Sequence, residues 1–199
     1  QMAAEADDEA QVKRNYETYL KLTGDVALGL YECPRPYRRS MELDTLAWLA
    51  QSERFVYLKE TSCSPDTVKR KLHAVSGTPL KIYNAHTASA LETLKMGVSG
   101  LSCIAANAYP DLFARLCEIW ESQPEQAKEL QRRLSLLDRV VRVNYPKSVK
   151  RFIRDAGMDI SDYCRKPGLD LSGDDETILP LFAEEVANVR SLFTSLGGN

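Results

Sequence analysis

The chain has 199 residues, 44% hydrophobic and 27% charged, which is ordinary globular composition with length enough to bury a sizeable core. Its 26 basic and 28 acidic residues leave a net charge of -2 without a basic cluster, which argues against nucleic acid and anionic membrane as partners. No run approaches the roughly 20 apolar residues of a transmembrane helix, and the N-terminus lacks the basic-then-apolar form of a signal peptide, so a cytoplasmic protein is expected.

The five cysteines, Cys33, Cys63, Cys103, Cys117 and Cys164, are odd in number and contain no CxxC pair. They predict reduced thiols rather than a disulfide framework or a zinc site.

Residues 7–22 are rich in helix formers and carry acidic side chains in the first turn, which suits the positive end of a helix dipole. "GDVALGLYEC" (24–33) is continuously small or apolar, as strands covered on both faces are. Residues 41–52 set Leu43, Leu46, Ala47 and Ala50 at helical spacing, and 54–61, "RFVYLKET", is a second strand. Residues 64–77 open with Ser64 as a cap and Pro65 at the first helical position, and repeat Val68, Leu72 and Val75 on one face. The pattern recurs as strand 80–85, helix 87–97, strand 100–106 and helix 110–122.

Strands alternating with amphipathic helices are the signature of parallel β/α units. After residue 123 the strands stop, and 124–143, 146–157 and 176–193 read as helices. The expected domains are therefore residues 1–123, a set of β/α units led by a helix, and 124–199, an all-helical extension. A βα unit starts with its strand, so the leading helix implies a chain that begins partway through a repeat.

In parallel β/α folds, ligands sit at the carboxyl ends of the strands. Those ends hold Tyr31, Lys59 with Thr61, Asn84 with His86, and Ser102 with Asn107. A lysine among apolar strand residues loses hydration, which favours the free amine that attacks carbonyls, and a neighbouring tyrosine hydroxyl can shuttle the protons. On spacing alone, a surface lysine and a rim tyrosine are the favoured account.

Five segments shift that balance. "GLYECP" (29–34) resembles the tyrosine strand, usually Tyr-Asn-x-Pro, of the dihydrodipicolinate synthase/N-acetylneuraminate lyase family of class I Schiff-base aldolases. "LKETS" (58–62) resembles its lysine strand, and "ALETLKMGVSGLSCIAANAYPDLF" (90–113) its last barrel helix and strand. "NYPKSVKRFIRDAG" (144–157) and "YCRKPG" (163–168) resemble its C-terminal helical region.

The resemblance implies a (β/α)8 TIM barrel, of which this chain carries strands 5–8 and the C-terminal helical region, about the last two-thirds of a family member. It implies a lyase or aldolase in which Lys59 forms an imine with a pyruvate-like 2-oxo acid and Tyr31 relays protons, with an aldehyde or sugar acid as the other substrate. The covalent imine on Lys59 takes the place of a cofactor. Thr61 is expected beside the substrate, the carbonyl of Ser102 facing the pyruvyl site, and a homo-oligomer is the expected assembly.

Two positions depart from the family pattern. Pro36 stands where the synthase branch has a dicarboxylate-binding arginine, with Arg35, Arg38 and Arg39 nearby. Ala85 stands where the family has glycine, followed by His86 in place of a carboxylate or aromatic, and both bear on the substrate pocket. The family's carboxylate-holding hydroxyl loop and its interface tyrosine belong to barrel units that precede this chain. The 199 residues alone are therefore expected to be weakly active or inactive. The alternative is a non-catalytic half-barrel or a split-barrel subunit that needs a second chain. "AANAYP" at the last strand–helix junction is not the glycine-rich phosphate loop of phosphate-binding barrels.

His73 reads as solvated, and no further histidine stands near His86 to complete a metal ligand set. "SGDDET" (172–177) reads as a loop and helix cap, and "AEADDEA" (4–10) as acidic support for the first helix turn. Leu130, Leu134, Leu137 and Val141 form one stripe, expected to pack against the barrel or a neighbouring subunit.

Overall fold

A computed structural model describes residues 8–33 and 40–194. Two compact units divide between Ser102 and Cys103. The first holds α1 (Glu9–Leu22), β1 (Leu28–Tyr31), α2 (Leu43–Gln51), β2 (Phe55–Glu60), α3 (Pro65–Ala74), β3 (Lys81–Asn84), α4 (Ala90–Met96) and β4 (Gly100–Leu101). The strands form one sheet in the order β1-β2-β3-β4, every pair parallel. This is the alternating βα arrangement expected from the sequence pattern.

Local chemistry sets the helix ends. Asp8 caps α1 by accepting the Gln11 amide at 2.8 Å, and Ser64 caps α3 by accepting the Thr67 amide at 3.3 Å, ahead of Pro65. Gly97 ends α4 with φ 102°, a left-handed conformation that a side chain would strain.

The strands are shorter than expected. The first is four residues rather than 24–33, and the last is Gly100–Leu101 rather than 100–106, because the chain leaves the sheet for a 3₁₀ turn at Ile104–Asn107. The expected helix 87–97 opens with a 3₁₀ turn, Thr87–Ser89, before α4 begins. On α3 the buried residues are Val68 and Lys71, with Leu72 only half-buried and Val75 buried just past the helix end. Lys71 displaces Leu72 as the inward position because both fit a 3.6-residue repeat and ion pairing decides between them.

Residues paired across parallel strands share a face. Leu28, Leu30, Phe55, Leu58 and Ile82 are buried on the face covered by helices, where Leu46, Leu49, Ala50, Val68 and Leu94 also lie buried. Phe55 and Leu58 are both buried although three residues apart, because the β1–β2 register shifts between Leu28 and Gly29, a bulge that resets the alternation. Each such side chain contributes about 1.5–3 kcal/mol when fully removed from water. On the other face, Tyr31, Tyr57, Lys59 and Tyr83 stay exposed or half-buried.

The second unit holds α5 (Pro110–Ile119), α6 (Pro124–Arg142), α7 (Lys147–Asp155) and α8 (Gly173–Thr194). The Leu130, Leu134, Leu137 and Val141 stripe of α6 is buried within it, against α5, α7 and α8. Tyr109 is fully buried, with Phe113 stacked 5.8 Å away and Phe182 at 6.0 Å. The helix expected at 176–193 starts earlier, at Gly173. There the Ser172 hydroxyl accepts the Asp175 amide at 3.2 Å, and Asp175 accepts the Ser172 amide at 2.7 Å.

Candidate active site

Tyr31, Lys59, Tyr83 and Gly100 occupy one row across the four strands, each paired in register with the next. Tyr31 and Lys59 therefore project from the same face at adjacent strand ends, and the Lys59 Nζ lies 4.8 Å from the centre of the Tyr31 ring. Tyr31 is 54% exposed and Lys59 half-buried. Among the described residues Lys59 has no carboxylate ion-pair partner, and its cation is held only by the ring quadrupole.

Two residues below Lys59, Tyr57 stacks on Tyr83 with ring centres 4.6 Å apart and donates its hydroxyl proton to the Ser102 Oγ at 3.1 Å. Gly100 makes that stack possible, since a Cβ there would lie 2.9 Å from the Tyr83 ring. The structure thus surrounds the Lys59 side with phenol rings and one serine hydroxyl. Tyr57 and Tyr83 were not singled out in the sequence, where strand tyrosines look like ordinary core. The available signal was strand alternation, which puts Tyr57, two residues before Lys59, on the same face as the lysine.

The remaining expected residues lie nearby in the same unit. The Thr61 hydroxyl donates to the backbone carbonyl of Glu32, which ties it to the end of β1. The Ser102 amide donates to the Asn84 carbonyl at 2.7 Å, and the Ala85 amide to the Glu60 carbonyl at 2.9 Å. His86, half-buried, has Nδ1 2.9 Å from the Ser89 Oγ, and its amide donates to the Asn84 Oδ1 at 2.8 Å. Asn84 is fully buried and organises this turn by donating to Thr93 Oγ1 at 2.8 Å and to the His86 carbonyl at 3.2 Å. Pro36, with Arg35, Arg38 and Arg39, lies outside the described residues.

His73 is exposed, and among the described residues no group of three or more His, Cys, Asp or Glu side chains could hold a metal ion. Nor is any described helix long and apolar enough to cross a membrane.

An all-parallel sheet of βα units, bearing a lysine and a tyrosine in register at its strand ends, defines an α/β protein with its candidate site at the carboxyl ends of the strands. A sequence profile of the dihydrodipicolinate synthetase family matches residues 8–183. The chain belongs to that family, whose fold is a (β/α)8 TIM barrel.

Over 171 residues it is 26% identical to the 4-hydroxy-tetrahydrodipicolinate synthase of Porphyromonas gingivalis, covering 84% of this chain and 57% of the relative. Over 90 residues it is 30% identical to the enzyme of that name from Acidithiobacillus ferrooxidans, covering 45% and 31%. The solved 4-hydroxy-tetrahydrodipicolinate synthase of Methylacidiphilum fumariolicum superposes with a TM-score of 0.82 at 21% identity, covering 97% of this chain and 64% of that one. A prophage protein of the same family from E. coli, solved in complex with pyruvate, has a TM-score of 0.80 at 17% identity, with 94% and 64% covered. The chain thus spans less than two thirds of the length of these relatives.

Proposed function

We propose that this chain carries the lysine half of a class I lyase or aldolase that makes or breaks a carbon–carbon bond beside a pyruvate-derived imine. The single observation behind this reading is the register pair of Tyr31 and Lys59, with the amine 4.8 Å from the phenol ring and without a carboxylate partner among the described residues. Family membership and the pyruvate complex of the E. coli relative support the choice of a 2-oxo acid.

In the proposed reaction the Lys59 amine adds to the keto carbon, and water leaves as the imine forms. The protonated imine then draws electrons from the adjacent carbon, which loses a proton and attacks the aldehyde of the second substrate, or reverses those steps. Tyr31 moves the protons at the carbonyl oxygen. Thr61, Ser102, Ala85 and His86 are read as the substrate wall, with no metal and no cofactor beyond the covalent imine. An aldehyde or sugar acid is the proposed co-substrate.

The β-strands are read as strands 5–8 of the barrel, residues 1–123 as its second half and 124–199 as its helical extension, in a cytoplasmic homo-oligomer. The remaining strands then come from further length of the protein or from a second chain, and the 199 residues alone are weakly active or inactive. A second reading, a half-barrel that needs another polypeptide, rests on the resemblance, which puts Ala85 where the family has glycine.

Pyruvate with sodium borohydride tests the enzyme reading in the full-length protein. A reduced adduct on the peptide containing Lys59 is expected, and an adduct-free protein would refute it.

A further inference from the structure

Behind the Tyr31 and Lys59 pair lies a buried ion triad. Glu32 follows Tyr31 and Glu60 follows Lys59, so strand alternation turns both carboxylates to the helix-covered face. There Lys71 of α3 places its Nζ 2.6 and 2.7 Å from the two Glu32 oxygens and 2.9 Å from Glu60 Oε1. The three side chains are 0%, 2% and 0% exposed for Lys71, Glu32 and Glu60.

The carboxylates also grip backbone. Glu32 accepts the amides of Met41 at 2.8 Å and Thr61 at 3.3 Å, and Glu60 accepts the amide of Ser62 at 2.8 Å. The Glu32 amide in turn donates to the Lys59 carbonyl at 3.3 Å. The ends of β1 and β2, the segment re-entering at Met41 and helix α3 are thus tied through one ammonium group.

Stability is a poor explanation for such a device. Burying charge is costly, and a well-packed apolar trio commonly does as well or better. Glu60 meets both the ammonium and the Ser62 amide through its Oε1. What charged groups add over apolar ones is direction. An ammonium that must meet two carboxylates accepts only a narrow range of strand offsets.

We propose that the Glu32–Lys71–Glu60 triad is a positioning device that locks the ends of β1 and β2 in the offset holding the Lys59 amine against Tyr31. This inference rests on the reading of Lys59 as the imine-forming residue. Its action is indirect, since the three side chains point away from the face that carries Lys59. A shift of about 1 Å at a reacting group can cost on the order of a hundredfold in rate.

The test compares the rate of pyruvate–borohydride trapping on Lys59 in the full-length protein with Lys71→Met, Glu32→Gln and the charge-free Glu32→Gln/Glu60→Gln/Lys71→Met protein, scored per folded molecule. For Lys71→Met and the charge-free protein the rate at saturating pyruvate is expected to fall about tenfold or more, while half-saturating pyruvate moves less than about threefold. For Glu32→Gln, which keeps the shape and the fold, a drop of roughly threefold is expected, and this variant decides the matter if Lys71→Met does not fold. Trapping at the unchanged rate in the charge-free protein or in Glu32→Gln overturns the positioning role and leaves the Lys59 reading standing. An unchanged protein that traps no pyruvate overturns both.

Discussion

Lys59 and Glu60 are neighbours with opposite environments, and strand parity is the cause: one side chain joins the phenol row, the next is sealed under α3. The sequence made Lys59 visible through its apolar approach and the resemblance of "LKETS". Glu60 could also be placed away from the sheet's functional face by alternation. Lys71 was hidden, because a lysine in a helix containing Lys69 and Arg70 looks solvated, and only the tertiary meeting with Glu32 and Glu60 explains its burial. Lys71→Met leaves two carboxylates buried together and is expected to cost about 3–5 kcal/mol in urea unfolding. A loss below about 1 kcal/mol would contradict the buried triad.

Tyr109 gives a second test at this scale. Its hydroxyl is buried with no hydrogen-bond partner among the described residues, and burial first, then the charge of Asp138, pushes the phenol well above its ordinary range. Tyr109→Phe removes the unsatisfied group, so stability is expected to rise by about 1 kcal/mol. The folded phenol holds its proton where the unfolded one releases it, so below about pH 10 the residue adds no pH dependence, and above it ionisation favours the unfolded chain. Stability should therefore fall more steeply above pH 10 in the unchanged protein than in Tyr109→Phe.

Elements were legible where a period and a cap agreed, as in α3, with Ser64, Pro65 and Val68. They were misjudged where an apolar run outlasts its ladder. Residues 102–106 are as apolar as a strand, yet the Ser102 amide makes the last bond to β3 and the chain then turns into a 3₁₀ segment. The close approach of β4 to β3 was equally invisible, since it depends on the Tyr83 ring lying over Gly100. Gly100→Ala must displace that ring from its stack on Tyr57, with an expected cost of about 1–3 kcal/mol in unfolding.

In the helical unit, Arg190 of α8 meets Asp111 of α5 at 2.8 and 2.9 Å, and the Arg190 hydrogen bond is the main cause holding the Asp111 carboxyl below its usual range. That contribution is present above the ordinary carboxylate pKa and is lost as pH falls through the lowered one. Both side chains are substantially exposed, so Arg190→Ala is expected to cost less than about 1 kcal/mol at neutral pH.

At the scale of the whole molecule, the order of βα units and the helical tail followed from composition and pattern, and family membership agrees with the motifs at 29–34, 58–62 and 90–113. The substrate branch was not legible. Pro36 and its arginines lie outside the described residues, and a sheet with one open face does not display a closed pocket. The 199 residues alone are expected to trap pyruvate weakly or not at all beside the full-length protein.

The most direct measurement is mass mapping of the full-length protein after incubation with pyruvate and borohydride. The proposed chemistry predicts one reduced pyruvyl adduct on Lys59, abolished by Lys59→Ala and slowed at least tenfold by Tyr31→Phe. A protein that stays unmodified, or one whose adduct sits on another lysine and survives Lys59→Ala, contradicts it.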